Sequence, residues 1–217
     1  MIRKIDSQEI IYLRQKDKIL SKIIVKVGNL EYELYKDPYK FLVFTIIGQM
    51  LSNKVGDKLF QRLEEKCDGL VTPMNLHKLS NEDILSIGIS KRKVTAIRAL
   101  TKNVLEDVSF LGALKTKTNE EIIKQISNIK GIGPWTAKML LIFVLDRMDV
   151  LPFEDGAFIA AYSMVYKIED ATRDKRYIRK QCEKWIPYSS LAARYLYRFY
   201  DSELKYRNDG LHGDKKT

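Results

Sequence analysis

Cysteine and histidine are scarce in this 217-residue chain: Cys67 and Cys182, His77 and His212 are the only ones. Scattered so widely, they cannot supply a Cys₄ cluster or a Cys₂His₂ finger with the usual ligand spacing. At most one disulfide can form, and two reduced core thiols in a cytosolic protein are the expectation. Long apolar runs are also missing. The longest, Met139–Leu145, has seven residues, against the roughly 20 needed to span a bilayer. The opening residues Met1-Ile2-Arg3-Lys4-Ile5-Asp6 hold no apolar signal core, so export is not indicated and a cytoplasmic location is expected. With 5 prolines and 11 glycines, the chain contains no Pro-, Gly- or Ser-rich linker and no repeat of fixed period.

What remains is apolar, aromatic and basic. Hydrophobic residues make up 45%, with 12 Tyr, 8 Phe and 2 Trp among them, enough to offset the entropy of folding and to exclude a disordered basic tail. The 38 Lys and Arg against 28 Asp and Glu leave a formal charge of +10. A folded body with that surplus attracts polyanions, nucleic acid or an anionic membrane surface. No stretch sets a strongly basic face against an aromatic one, which disfavours the membrane.

The patterning is helical nearly throughout. Ile19, Leu20, Ile23, Ile24 and Val27 recur at three- and four-residue spacing, and Gly28 follows where a C-cap glycine belongs. Asp37-Pro38 opens the apolar stretch Phe41–Leu51. Ser80-Asn81-Glu82-Asp83 and Thr118-Asn119-Glu120-Glu121 read as capping boxes. Val94, Ile97, Leu100 and Val104 form one stripe. Pro134 stands at a preferred first helical position, and the helix it opens, to about Leu145, is apolar almost all round. Further helices read at about 156–167, 174–184 and 189–204, and residues from about 205 read as a frayed tail. The only strand-like alternation, Leu30–Tyr35, is too short for a sheet of its own. The fold class is all-α.

One segment carries chemistry. Lys130-Gly131-Ile132-Gly133-Pro134-Trp135-Thr136 joins two helices through a hairpin with two glycines. Glycine admits positive φ and lets a phosphate approach without a Cβ in the way. The helix start behind it adds unpaired N–H groups and the positive end of the dipole, and the Thr136 hydroxyl is a further candidate donor. A plain structural turn would also use these glycines. Twenty residues after Trp135 comes Asp155, in Leu151-Pro152-Phe153-Glu154-Asp155-Gly156. Taken alone, it reads equally as a helix N-cap.

Together the two segments resemble the helix-hairpin-helix and Pro…Asp segments of the helix-hairpin-helix DNA glycosylase superfamily. Asp37-Pro38-Tyr39-Lys40-Phe41 through Gly48-Gln49-Met50-Leu51-Ser52, and Ile87-Gly88-Ile89-Ser90-Lys91-Arg92-Lys93, are similar to two further family segments. Trp185-Ile186-Pro187-Tyr188-Ser189-Ser190-Leu191-Ala192 resembles the ending of the 3-methyladenine DNA glycosylase II branch. The resemblance runs from about residue 10 to 204. Where strand-cutting members carry a Schiff-base lysine, this chain has Trp135. Where iron–sulfur relatives carry four C-terminal cysteines, it has Cys182 alone. It departs from the branch at Met50 (a second glutamine in the family), Met139 (an aromatic), Ser189 (an arginine) and Tyr197 (a tryptophan).

The resemblance implies two helical lobes with a DNA-binding cleft: 1–44 and 147–204 forming one lobe, 45–146 the other, which ends with the helix-hairpin-helix, and 205–217 a flexible tail. It implies a monomeric, monofunctional enzyme acting on double-stranded DNA containing damaged bases, with no metal or cofactor. Asp155 would be catalytic. Trp135, Tyr197 and Met139 would line the base pocket, unless they are core. Gly131, Gly133 and Thr136 would hold phosphate. Met50, with Leu51 as reserve and Gln49 beside them, would wedge into the gap left by the extruded base, unless these are ordinary core residues. A non-catalytic DNA-binding module and a same-fold glycosylase for other damaged bases remain alternatives.

Overall fold

In the computed structural model, which describes residues 1–169 and 175–213, a buried aspartate stands where the first two helices meet. β1 (Ile2–Arg3) leads to α1 (Gln8–Lys16) and α2 (Lys18–Val27), and β2 (Leu30–Glu31) follows. Asp17 ends α1, its amide bonding to the Leu13 carbonyl, and N-caps α2 by accepting the Ile19 and Leu20 N–H groups at 3.0 Å. β1 and β2 form one antiparallel pairing, Ile2 opposite Glu31 and Arg3 opposite Leu30. Of the alternation over 30–35, only these two residues of β2 become strand, so the all-α class stands.

The chain then builds a second unit, Leu34–Asp146. It contains α3 (Pro38–Gly48), α4 (Asn53–Lys66), α5 (Pro73–Lys78), α6 (Asn81–Leu85), α7 (Lys91–Glu106), α8 (Asn119–Ser127) and α9 (Pro134–Phe143), with a 3₁₀ turn at Gly112–Thr116. Asp37 caps α3 by accepting the Lys40 amide at 3.0 Å, and both expected capping boxes form, at α6 and α8. α3 buries Tyr39, Phe41, Leu42, Val43, Ile46 and Ile47 and packs against α4, α7 and α9. That packing places α3 in the second unit, so the division falls after Glu33 and not after residue 44 as the sequence reading has it.

α10 (Gly156–Tyr166), α11 (Lys175–Cys182) and α12 (Ser189–Gly213) return to the first unit, with a 3₁₀ turn at Glu183–Trp185. α12 corrects the expected tail: its backbone stays helical through Gly213, and residues 214–217 lie outside the described residues. Among the described residues, no helix is long and apolar enough to cross a membrane. Cys67 and Cys182 are both free and buried, one in each unit.

Asp17 gathers the first unit. It is 3% exposed, and its Oδ2 accepts the Tyr166 hydroxyl at 2.6 Å and the Trp185 indole N–H at 3.0 Å, with Lys184 Nζ also at 3.0 Å. Tyr162 stacks on Tyr166, ring centroids 4.2 Å apart, and meets Trp185 at 6.0 Å. One carboxylate therefore ties α1, α2, the end of α10 and the 3₁₀ turn together. Burial pushes its pKa up, but the hydrogen bonds from Tyr166, the Leu20 amide, Trp185 and Lys184 outweigh that and hold it below the usual value. Asp17→Ala strands these donors and is expected to cost about 3 kcal/mol in chemical denaturation at neutral pH. Because the native pKa is lowered, the contribution is present above about pH 4 and fades as pH falls further. The gap between mutant and wild type should narrow accordingly.

Candidate functional site

The hairpin between α8 and α9 is pinned from beneath. Ile129 and Ile132 are buried and bracket the turn, with the Ile132 amide bonding to the Ile129 carbonyl at 3.0 Å. Gly131, between them, has φ +86°, and a Cβ there would lie 2.8 Å from Cβ of Ala96 on α7. It is glycine for both reasons at once, strain and close approach. Gly133 differs. It N-caps α9 in extended backbone (φ −112°, ψ 177°), and a Cβ there would meet open space. With no capping side chain ahead of it and Pro134 at the first position, α9 presents its first-turn N–H groups toward that opening.

Thr136 does not behave as expected. Its side chain is fully buried, and its hydroxyl accepts a hydrogen bond from Gln49 Nε2 at 3.2 Å. It tethers a loop, and its burial keeps the hydroxyl proton away from an anion at the surface. Met139, expected in a base pocket, is 5% exposed and is a core residue of α9. Trp135, in the first turn, is half-buried.

Gln49-Met50-Leu51 follows α3. Lys93, from α7, donates its ammonium to the carbonyls of Ile47 at 2.7 Å and Gln49 at 2.9 Å. Burial pulls the Lys93 pKa down, and the two carbonyls it meets belong to the end of α3, where a cation also complements the helix dipole. With Lys93 on one side and Thr136 on the other, Gln49 is a fixed anchor and not a wedge. Met50, next to it, takes the left-handed conformation (φ 59°) and is fully exposed. A non-glycine residue held there is strained, and such strain persists only where the surroundings impose it. Leu51 is exposed to a lesser degree, its amide bonded to the Gly48 carbonyl at 3.1 Å.

In the first unit, the segment before α10 is held by α12. The Ser190 amide bonds to the Met148 carbonyl at 2.9 Å, and the Ser190 hydroxyl accepts from the Val150 amide at 2.9 Å. Ser189, the residue found where the branch has arginine, is buried and donates to Asp149 Oδ1 at 2.6 Å. The segment turns at Pro152, whose carbonyl accepts the Asp155 amide at 3.0 Å. Asp155 then N-caps α10, Oδ1 accepting the Ala157 N–H at 3.1 Å, while Oδ2 accepts the Tyr197 hydroxyl from α12. Tyr197 is thus no open stacking platform: its ring meets Phe158 edge-on at 6.4 Å, and its hydroxyl is engaged. Burial and the neighbouring Asp155 push the Tyr197 pKa well above its ordinary value, so the hydroxyl keeps its proton and donates.

The roles of Lys93 and of the Tyr197 hydroxyl were invisible to pattern reading. The segment holding Lys93 stands out in the sequence, but nothing there says which carbonyls the lysine reaches.

An all-α chain with a glycine hairpin capping a helix, and a carboxylate at the next helix start, has the architecture of the helix-hairpin-helix repair proteins. Residues 43–188 match the family model described as "HhH-GPD superfamily base excision DNA repair protein", and the chain belongs to that superfamily. It is 29% identical to DNA-3-methyladenine glycosylase 1 of Schizosaccharomyces pombe over 87% of this chain and 85% of that protein. The structure resembles the crystal structure of a DNA-3-methyladenine glycosidase from Bacillus halodurans (TM-score 0.80, 28% identity, 94% of each chain). It also resembles a Schizosaccharomyces pombe 3-methyladenine DNA glycosylase in complex with abasic DNA (TM-score 0.80, 26% identity, covering 88% of this chain and 96% of that one).

The two hairpin glycines should separate in measurement. Gly131→Ala, which meets Ala96 and strains φ, is expected to cost about 1–3 kcal/mol in denaturant titration. Gly133→Ala is expected to fall within about 0.5 kcal/mol of wild type yet to weaken affinity for undamaged duplex DNA, read by fluorescence anisotropy.

Proposed function

We propose that this chain is a monofunctional DNA glycosylase of base excision repair, hydrolysing the N-glycosidic bond of alkylated purines of the 3-methyladenine type in duplex DNA. The observation that carries the reading is Asp155, a carboxylate fixed at one oxygen by the Ala157 amide two residues on and at the other by the Tyr197 hydroxyl from α12. Its likeness over nearly full length to proteins named for 3-methyladenine supports the substrate class.

The damaged base is first extruded, which costs a few kcal/mol. Contacts between the α9 N–H groups near Gly133 and flanking phosphates hold the duplex without reading its sequence. Met50, apolar, unbranched and already projecting on an anchored loop, fills the space the base leaves. Trp135 supplies an indole face, and an N3- or N7-alkylated purine is cationic, so a ring attracts it by about 0.5–2 kcal/mol beyond a neutral base.

That positive charge makes the purine a competent leaving group without a protonating acid, so one carboxylate suffices where glycoside hydrolases commonly use two. Asp155 stabilises the positive charge developing on the sugar and orients the attacking water. The water oxygen bonds to C1′, the C1′–N bond breaks, and its electron pair neutralises the departing purine. The proton lost by the water passes to the carboxylate and on to solvent, leaving an abasic site. An indole at position 135 cannot form a Schiff base with that sugar, so the strand stays intact.

Chromatography of methylated purines released from alkylated duplex DNA tests the reading. Asp155→Asn is expected to lower release at least about a hundredfold while keeping lesion binding and stability, because asparagine caps a helix as well as aspartate does. Wild-type release by that variant excludes the mechanism. On the same substrate, borohydride should trap no covalent complex, and strands should break only after alkali. Met50→Ala is expected to slow excision from a paired lesion by about tenfold, a loss of roughly 1.4 kcal/mol, with less effect on an unpaired one.

A further inference from the structure

A carboxylate that acts on a sugar must present a free lone pair in a fixed direction, and a lone N-cap aspartate can swivel about its Cβ. Asp155 is bonded at both ends: Oδ1 accepts the Ala157 amide at 3.1 Å and Oδ2 accepts the Tyr197 hydroxyl. Each oxygen has two lone pairs, so one on each remains for sugar or water while the plane is locked. We infer that Tyr197 is a positioning residue of the reaction, its hydroxyl orienting the Asp155 carboxylate, in place of the base-stacking surface its position suggests.

Three observations converge on this. Among the described residues, the hydroxyl is the only group beyond the helix's own backbone seen to bond the Asp155 carboxylate. The Tyr197 ring packs edge-on to the buried Phe158, which in turn meets the half-buried Phe153 at 6.2 Å and 85°. And α12, which carries Tyr197, also grips the start of the same segment through Ser189 and Ser190, so the carboxylate and its donor are set by one helix. The inference rests on the reading that Asp155 acts on the sugar.

Other charges near the pair stay in place when the hydroxyl is removed. They are Arg194 and Asp201 on α12 and Glu154, adjacent to Asp155 in the chain; Arg179 of α11 lies 5.8 Å over the Phe153 ring. Lys26 of α2 is paired with Glu203 at 2.7 Å.

Tyr197→Phe keeps the ring and deletes the donor. With a duplex containing 7-methylguanine, the single-turnover excision rate is expected to fall by about 10- to 100-fold, as for loss of a hydrogen bond to a charged group. Affinity for the same duplex should stay within about threefold, a change of less than 1 kcal/mol. Phe158→Leu, which disturbs the same ring contact but keeps the hydroxyl, should lower the melting temperature and leave the single-turnover excision rate near that of wild type. An unchanged rate in Tyr197→Phe overturns the inference, as does a lowered rate matched by an equal loss of affinity, or an equal loss of rate in Phe158→Leu. Full excision by Asp155→Asn removes the underlying reading itself, whatever Tyr197→Phe does.

Discussion

The approach of α7 to the hairpin backbone governs the second unit. Ala96 lies so close to Gly131 that a single added carbon would sit 2.8 Å away, well inside any contact real side chains make. One turn earlier on the same helix, Lys93 reaches the end of α3 and holds two of its carbonyls. Gln49 then bonds to Thr136 in the first turn of α9. Hairpin, α7 and the Met50 loop are thereby closed into one circuit, and none of its members can shift alone. The small residue at 96 and the absent side chain at 131 are a single packing decision written at two places in the chain.

The first unit is organised by carboxylates. Asp17 sits among rings and gathers four pieces of backbone through charge-assisted bonds. Asp155, far from it in sequence, uses the same device more sparingly, with one amide and one hydroxyl. The difference in partners fits the difference in duty. A carboxylate whose lone pairs are all engaged supports structure, and one with lone pairs to spare can do chemistry. In both cases α10 contributes, by its last turn to Asp17 and by its first to Asp155.

Much of this was legible in one dimension, because caps and apolar periods are local. Both capping boxes, the C-cap at Gly28, the start of α9 at Pro134 and the N-cap at Asp155 form as their residue types dictate. The misreadings have a common origin. Position along a motif implies roles for Thr136, Met139 and Tyr197, but their burial and partners come from residues 87, or 42, places away or from packing around the whole helix. The end of α12 is hidden in the sequence for a simpler reason: a polar stretch reads as a tail even when its backbone continues a helix. Composition speaks about solvation, not about where a helix stops.

Met50 returns in a different light once its anchors are counted. A loop that becomes ordered only on meeting its partner surrenders conformational entropy at that moment, on the order of 1–2 kcal/mol for each residue fixed. Here Lys93 and Thr136 have already restricted the backbone on one side of Met50, and the Leu51 amide is bonded on the other. The restriction is met when the chain folds, offset by the core beneath α3. What is left free is a thioether side chain with three rotatable bonds, on a backbone that has almost nothing left to lose.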